Sequence, residues 1–177
     1  TNAAIIDGTG ADAYTGSVGI RGGRLTFRPL ESPVVLDASG LTLCPGFIDA
    51  HSHGDLLQNE FGALTKLSQG ITTQVVGQCG VSMYPAHPDM ETHRKFVSGI
   101  CARPVLPGPE AVQSYAAYTA YLNRGMYLNA ACFIGLGSLR MAVMGQGDRG
   151  PSRGEMERMK ALLREAMRAG ALGLSTG

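Results

Sequence analysis

Tryptophan is absent, aromatic residues of all kinds make up 6% of the chain, and charged residues only 16%. So little charge beside 44% apolar residues does not describe a disordered polypeptide. Fifteen basic against fourteen acidic side chains leave a net charge of +1, so no basic field calls for nucleic acid or an anionic membrane surface. No uninterrupted apolar run approaches the ~20 residues needed to cross a bilayer. A secretory leader is not indicated, because the first residues have no basic start and are interrupted by Asp7 and Asp12. The four cysteines, Cys44, Cys79, Cys101 and Cys132, lack a disulfide-framework spacing, and reduced thiols in the cytoplasm are the expectation. A P-loop is also missing, and the glycines between residues 135 and 150 do not complete a nucleotide-binding pattern.

What the chain does have is glycine, 25 in 177 residues, set between short apolar runs. Residues 1 to about 43 read as a small β module. Ala3 to Ile6 is an apolar run, Ser17–Arg21 and Arg24–Arg28 flank a Gly22-Gly23 turn, and Val34–Leu36 and Leu41–Leu43 flank Asp37–Gly40. From residue 44 onward the rhythm becomes strand, loop, helix. Strands are predicted at Pro45–His53, Ile71–Val76, Met126–Ile134 and Ala171–Ser175. Helices are predicted at Phe61–Gln69, near Thr92–Ser98, at Pro109–Asn123, and after the Ser152–Glu155 capping box. In the last of these Met156, Met159, Leu163 and Met167 recur at helical intervals and read as core filler. Residues 135 to 150 read as a glycine-rich loop.

Alternating strands and helices imply parallel βαβ units. Four such units make half of a (β/α)8 TIM barrel, a fold that takes ~250 residues when complete. An open half-barrel exposes a bare strand edge, and the expectation is therefore a fragment of a longer protein.

The stretch Pro45-Gly46-Phe47-Ile48-Asp49-Ala50-His51-Ser52-His53-Gly54-Asp55 carries the chemistry. Alternation along a strand points His51 and His53 to one face and Ser52 to the other, so two imidazoles can share a metal ion. The competing reading is two polar residues leaving a buried strand for solvent. Function in such barrels sits at the carboxyl ends of the strands. His51 and His53 close strand one, Cys79 follows strand two between Gly77 and Gly80, and Ser175 closes strand four. An imidazole and thiolate donor set favours Zn²⁺ over Mg²⁺ or Ca²⁺. Taken alone, Cys79 reads as a small side chain packed under a loop, and the paired histidines turn that reading towards a ligand. Asp55 would orient an imidazole or cap the next helix, and Asp49 would support the strand. His87 and His93 are read as solvated, Cys44 and Cys132 as packing residues, and Cys101 gives no signal.

These residues resemble a family. Cys44 through His53 is similar to the first metal-binding strand of the amidohydrolase superfamily. Leu67–Thr73 with Gly77-Gln78-Cys79-Gly80-Val81-Ser82, Gly135–Gly145 and Ala169–Gly177 resemble the N-acyl-D-amino-acid deacylases (D-aminoacylases). Ile6–Gly10 and Asp37–Gly40 resemble the β module that precedes that barrel. The resemblance implies residues 1–43 as part of a small β-sandwich and 44–177 as the first four β/α units of the barrel. It implies one or two zinc ions, with His51, His53 and Cys79 as ligands and Cys79 in place of a lysine carbamate. The implied reaction is hydrolysis of a small-molecule N-acyl-D-amino acid, with proton transfer by an aspartate beyond residue 177 and the fragment inactive by itself. One position departs from the pattern. Leu136 stands where a histidine is expected, which removes a polar contact there and leaves the three ligands untouched. Two alternatives remain at this point: a cyclic amidase of the hydantoinase or dihydroorotase type, and a non-catalytic half-barrel module.

Overall fold

The computed structural model describes residues 1–31, 33–56 and 60–177. They form two compact units, Thr1–Gly46 and Phe47–Gly177. Among the described residues no helix is long and apolar enough to cross a membrane.

The first unit is all β: β1 (Ala3–Ile5), β2 (Tyr14–Gly16), β3 (Gly19–Arg21), β4 (Arg24–Thr26) and β5 (Thr42–Leu43). Strand β1 pairs antiparallel with β2 and parallel with β5, and it buries Ala3 and Ile5 while exposing Ala4, as period-two alternation demands. Strands β3 and β4 form the expected hairpin, and Gly22 and Gly23 both take positive φ, 57° and 74°, as a two-residue turn of this hand requires. Val34–Leu36 is not a strand. The place beside β1 is taken by the residues after the Asp37–Gly40 turn, through hydrogen bonds from Ala4 N to Leu41 O and from Ile6 N to Leu43 O. Val34, Val35 and Leu36 consequently stay exposed.

The second unit alternates strand and helix: β6 (Phe47–Asp49), α1 (Glu60–Leu67), β7 (Ile71–Val76), α2 (Met90–Val97), α3 (Tyr115–Leu122), β8 (Asn129–Cys132), β9 (Ile134–Gly135), α4 (Leu136–Met144), α5 (Arg153–Arg168) and β10 (Leu174–Ser175). Strands β6, β7 and β8 are parallel and adjacent in that order, and β9 is parallel to β10. Only Phe133 separates β8 from β9, and its N–H still bonds Val76 O while Ile134 N bonds Gly173 O. Parallel strands with helices between them therefore follow one another in sequence order, and their carboxyl ends share one side. Tyr84, Tyr118, Leu56, Met83, Ile134 and Leu139 are among the fully buried side chains of the core.

Several elements differ from the sequence expectation. The predicted helix over 109–123 is broken: a 3-10 turn at Pro109–Val112 precedes α3, which restarts because Ser114 accepts a hydrogen bond from Ala117 N. Helix α4 occupies the front of the predicted glycine-rich loop, driven by burial of Leu139 and Met141. Gly137 belongs inside it for packing, since a Cβ there would lie 2.8 Å from Gly80 O. In α5 the capping box at Ser152 and Glu155 is present. Its inward face is Met159, Leu162, Leu163 and Ala166, whereas Met156 and Met167 are exposed.

Candidate metal centre

Strand β6 ends at Asp49, so His51 and His53 lie in the turn beyond it rather than on the strand itself. The alternation nevertheless persists, because Ser52 N still donates to Val75 O of β7 at 2.9 Å. Ser52 is buried, while the two imidazoles lie with ring centroids 5.9 Å apart in an edge-on arrangement. Burial, and then the charge of His51, push the His53 imidazole below its ordinary pKa and favour the neutral form that can ligate.

Cys79 follows β7 in a loop whose backbone few residues could adopt. Gly77, Cys79 and Gly80 all have positive φ, at 73°, 52° and 72°. A non-glycine residue in this region is uncommon and persists only where its surroundings hold it. Here they do. A Cβ on Gly77 would lie 2.2 Å from Phe133 O, one on Gly135 2.3 Å from Gly80 O, and one on Gly177 2.4 Å from Cys79 O. Backbone from β9 and from the end of β10 thus closes on the loop from two sides. The result sets Cys79 Sγ 3.3 Å from His51 Nε2. One ligand atom from each of His51, His53 and Cys79 lies within 4.8 Å of the others.

Other residues are placed differently from expectation. Ser175 turns its hydroxyl to the Cys79 loop, donating to Gly77 O at 2.6 Å and accepting from Gly80 N at 3.2 Å. Asp49, read from sequence as a support of the strand, supports the turn after it. Its Oδ1 accepts from His51 N at 3.2 Å and its Oδ2 pairs with Lys66 at 2.8 Å. That lysine holds the Asp49 carboxyl below its ordinary value. Asp55 is almost wholly buried, and desolvation pushes its pKa up to about 7 against backbone hydrogen bonds from Asp55 itself, Met83, Gly77 and Leu56. It therefore ties the turn after His53 to the loop after β7. His93 is fully buried rather than solvated: its Nδ1 accepts from His87 N at 3.5 Å, and burial, with the charge of His87, pushes its pKa down to about 4. His87 is half-buried. Cys44 is exposed rather than packed, and Cys132 is buried in β8. Leu136 opens α4 and packs against the core. Sequence reasoning passed over Lys66, Ser52 and Gln74. The available signal was Gln74, a lone amide buried in an otherwise β-branched strand.

A profile of the amidohydrolase family matches residues 34–177. The chain belongs to that family. This amidohydrolase chain is 38% identical to the N-acyl-D-aspartate deacylase of Alcaligenes xylosoxydans xylosoxydans, over 99% of its own length and 35% of that protein's. In structure it resembles the N-acyl-D-glutamate deacylase from Bordetella bronchiseptica, complexed with zinc and a phosphonate inhibitor that mimics the tetrahedral intermediate. The TM-score is 0.78 at 37% identity, over 100% of this chain and 37% of that one. A D-aminoacylase described as having a binuclear metal center matches with a TM-score of 0.74 at 33% identity, over 98% of this chain and 36% of that one. The chain thus spans about a third of the length of these relatives. The deacylase resemblance read from Gly77–Ser82 and its companion stretches is borne out.

The Cys79–His51 pair has the spacing that two ligands of a zinc ion take. Zinc bonds of about 2.3 Å to sulfur and 2.0–2.1 Å to nitrogen, at a tetrahedral angle, place S and N about 3.5 Å apart. The observed Sγ to Nε2 separation is 3.3 Å. Among the described residues His53 Nδ1 is buried without a hydrogen-bond partner, a condition that ligation or a further donor would relieve.

Proposed function

We propose that this amidohydrolase chain forms the first four β/α units of a (β/α)8 barrel, preceded by part of a small β-sandwich. In this reading the complete enzyme hydrolyses the amide bond of N-acyl-D-amino acids. His51, His53 and Cys79 hold zinc, one or two ions in all. The carrying observation is the convergence of these three donors, within 4.8 Å, at the carboxyl ends of adjacent parallel strands. A zinc ion bound there would serve as a Lewis acid for the scissile carbonyl and make hydroxide available near neutral pH.

The chain's own residues then have distinct tasks. His51 and Cys79 are exposed at the rim, open to a small molecule, while His53 sits deeper. The carboxylates beside the site are otherwise engaged, Asp49 with Lys66 and Asp55 in the interior. Neither is placed to shuttle a proton to a departing amine, and the proposal assigns that step to an aspartate outside these 177 residues.

Two measurements test the reading in the intact enzyme: zinc per chain by elemental analysis, and amine release from N-acetyl-D-amino acids, their L enantiomers and a hydantoin. Wild-type protein carrying zinc and cleaving the D substrates is expected, with both properties lost in Cys79→Ala. A fully active Cys79→Ala enzyme sinks the proposal. Hydantoin cleavage in preference to the D-acylamino acids would move it to the cyclic amidases.

A further inference from the structure

Behind the two histidines lies a polar knot that neither the family resemblance nor the metal reading uses. Lys66, in the last turn of α1, has an ammonium with three donors, and all three are engaged. Nζ donates to Asp49 Oδ2 at 2.8 Å, to Ser52 Oγ at 2.5 Å and to Gln74 Oε1 at 2.9 Å. These acceptors come from β6, from the turn between the histidines, and from β7. Each of the first two also grips the backbone of that turn: Asp49 Oδ1 accepts from His51 N, and Ser52 Oγ accepts from Gly54 N at 2.9 Å. Ser52 Oγ also donates to Gln74 Oε1 at 3.2 Å. The fit is tight, since a Cβ on Gly54 would stand 2.0 Å from Gln74 Oε1. Two backbone amides that bracket the His51–His53 pair are therefore fixed through side chains that meet on one cation. Ser52 and Gln74 are buried, which makes these hydrogen bonds to a charge stronger than their exposed counterparts.

We propose that Lys66 is a positioning residue of the metal centre: its ammonium, shared by Asp49, Ser52 and Gln74, fixes the backbone from His51 to Gly54 and with it the angle at which the two imidazoles meet Cys79. The proposal rests on the metal reading above. Lys66 acts through the turn, on the opposite side of the backbone from the imidazoles. Side chains that orient ligands in this way typically change metal affinity by about 10–100-fold when removed.

The test uses the intact protein stripped of metal and titrated with Co²⁺ alone, following the thiolate–cobalt absorption. Lys66→Met keeps the apolar stem and removes the cation; Lys66→Arg keeps a cation; Ser52→Ala cuts the link to Gly54 N. The expected result is Co²⁺ binding weakened about 10–100-fold in Lys66→Met, less in Lys66→Arg, with an altered absorption envelope at an unchanged fold. Hydrogen exchange, read without metal, is expected to accelerate at the His51 and Gly54 amides in Lys66→Met and at the Gly54 amide in Ser52→Ala. Folded Lys66→Met and Ser52→Ala proteins with wild-type Co²⁺ affinity and wild-type exchange overturn the proposal. If Lys66→Met fails to fold, Ser52→Ala decides by the same two readouts. A wild type that takes up no Co²⁺ overturns the metal reading and this inference together, whereas wild-type uptake with indifferent variants removes this inference alone.

Discussion

Replacing Gly77 by alanine perturbs one atom and should disable the centre. Gly77 has φ of 73°, a region that costs an L-residue about 1–2 kcal/mol relative to glycine. The new methyl would also stand 2.2 Å from Phe133 O, 2.9 Å from Phe133 C and 3.3 Å from Phe133 N. These are backbone atoms at the β8–β9 junction, and Phe133 N is itself bonded to Val76 O at 2.9 Å, so they cannot swing aside like a flexible side chain. Relief requires a shift of about 1 Å in the loop or the strand, and overpacking of that kind costs about 1–3 kcal/mol. Together the two effects predict a loss of about 2–5 kcal/mol, read as a lower urea midpoint at constant slope. The displaced loop should also carry Cys79 away from His51, so metal uptake falls with stability. Gly147→Ala is the control: the site is exposed, its φ is not positive and no atom lies within 4 Å of a Cβ there, so its stability should change by less than about 0.5 kcal/mol. A Gly77→Ala midpoint as unmoved as that of Gly147→Ala would refute the reasoning about the loop.

Ser175→Ala removes the hydroxyl that bridges Gly77 O and Gly80 N, and should weaken Co²⁺ binding while lowering stability in urea unfolding by about 1–3 kcal/mol. Burial holds the His93 pKa at about 4 against an ordinary 6.5, so below pH 6.5 the unfolded chain takes a proton that the folded chain refuses. Stability should therefore fall by up to about 3 kcal/mol as pH drops from 6.5 to 4, and His93→Gln should flatten that part of a urea-midpoint profile. Gly154→Ala, in the first turn of α5 with nothing near its Cβ, should raise stability by up to about 1 kcal/mol, and a lowered urea midpoint would count against the helix assignment there.

Elements whose cause is local were legible in the amino-acid order. The Gly22-Gly23 hairpin, the β-branched strand β7 and the capping box of α5 each depend on neighbours within a few residues, and each appears where read. The structure departs from local expectation where a distant partner decides the outcome. Val34–Leu36 has the composition of a strand, but β1 pairs with residues 42–43 instead. Gly137 reads as a loop residue because sequence cannot show that Gly80 O presses on that position from the loop after β7. His93 reads as exposed at a helix start, yet it lies with Val97 on the face of α2 that is turned into the interior.

The same division runs through the site. His51, His53 and Cys79 stand out in the sequence because their residue types and spacing suggest metal chemistry. The structure adds that Cys79 reaches His51 only because Gly77, Gly135 and Gly177 admit backbone where any side chain would block it. Those glycines lie on three different strand ends, and their shared role follows from three-dimensional proximity alone. The Lys66 knot behaves alike: Lys66, Gln74, Ser52 and Asp49 are unremarkable separately, and they become a device only when α1 lays its last turn across β6 and β7. In the proposed centre the chemistry resides in three donors, and their geometry resides in residues that never touch a metal. Substitutions in this second set should therefore alter affinity and spectrum before they alter the identity of the ligands, the pattern that separates a positioned site from a chance cluster of histidine and cysteine.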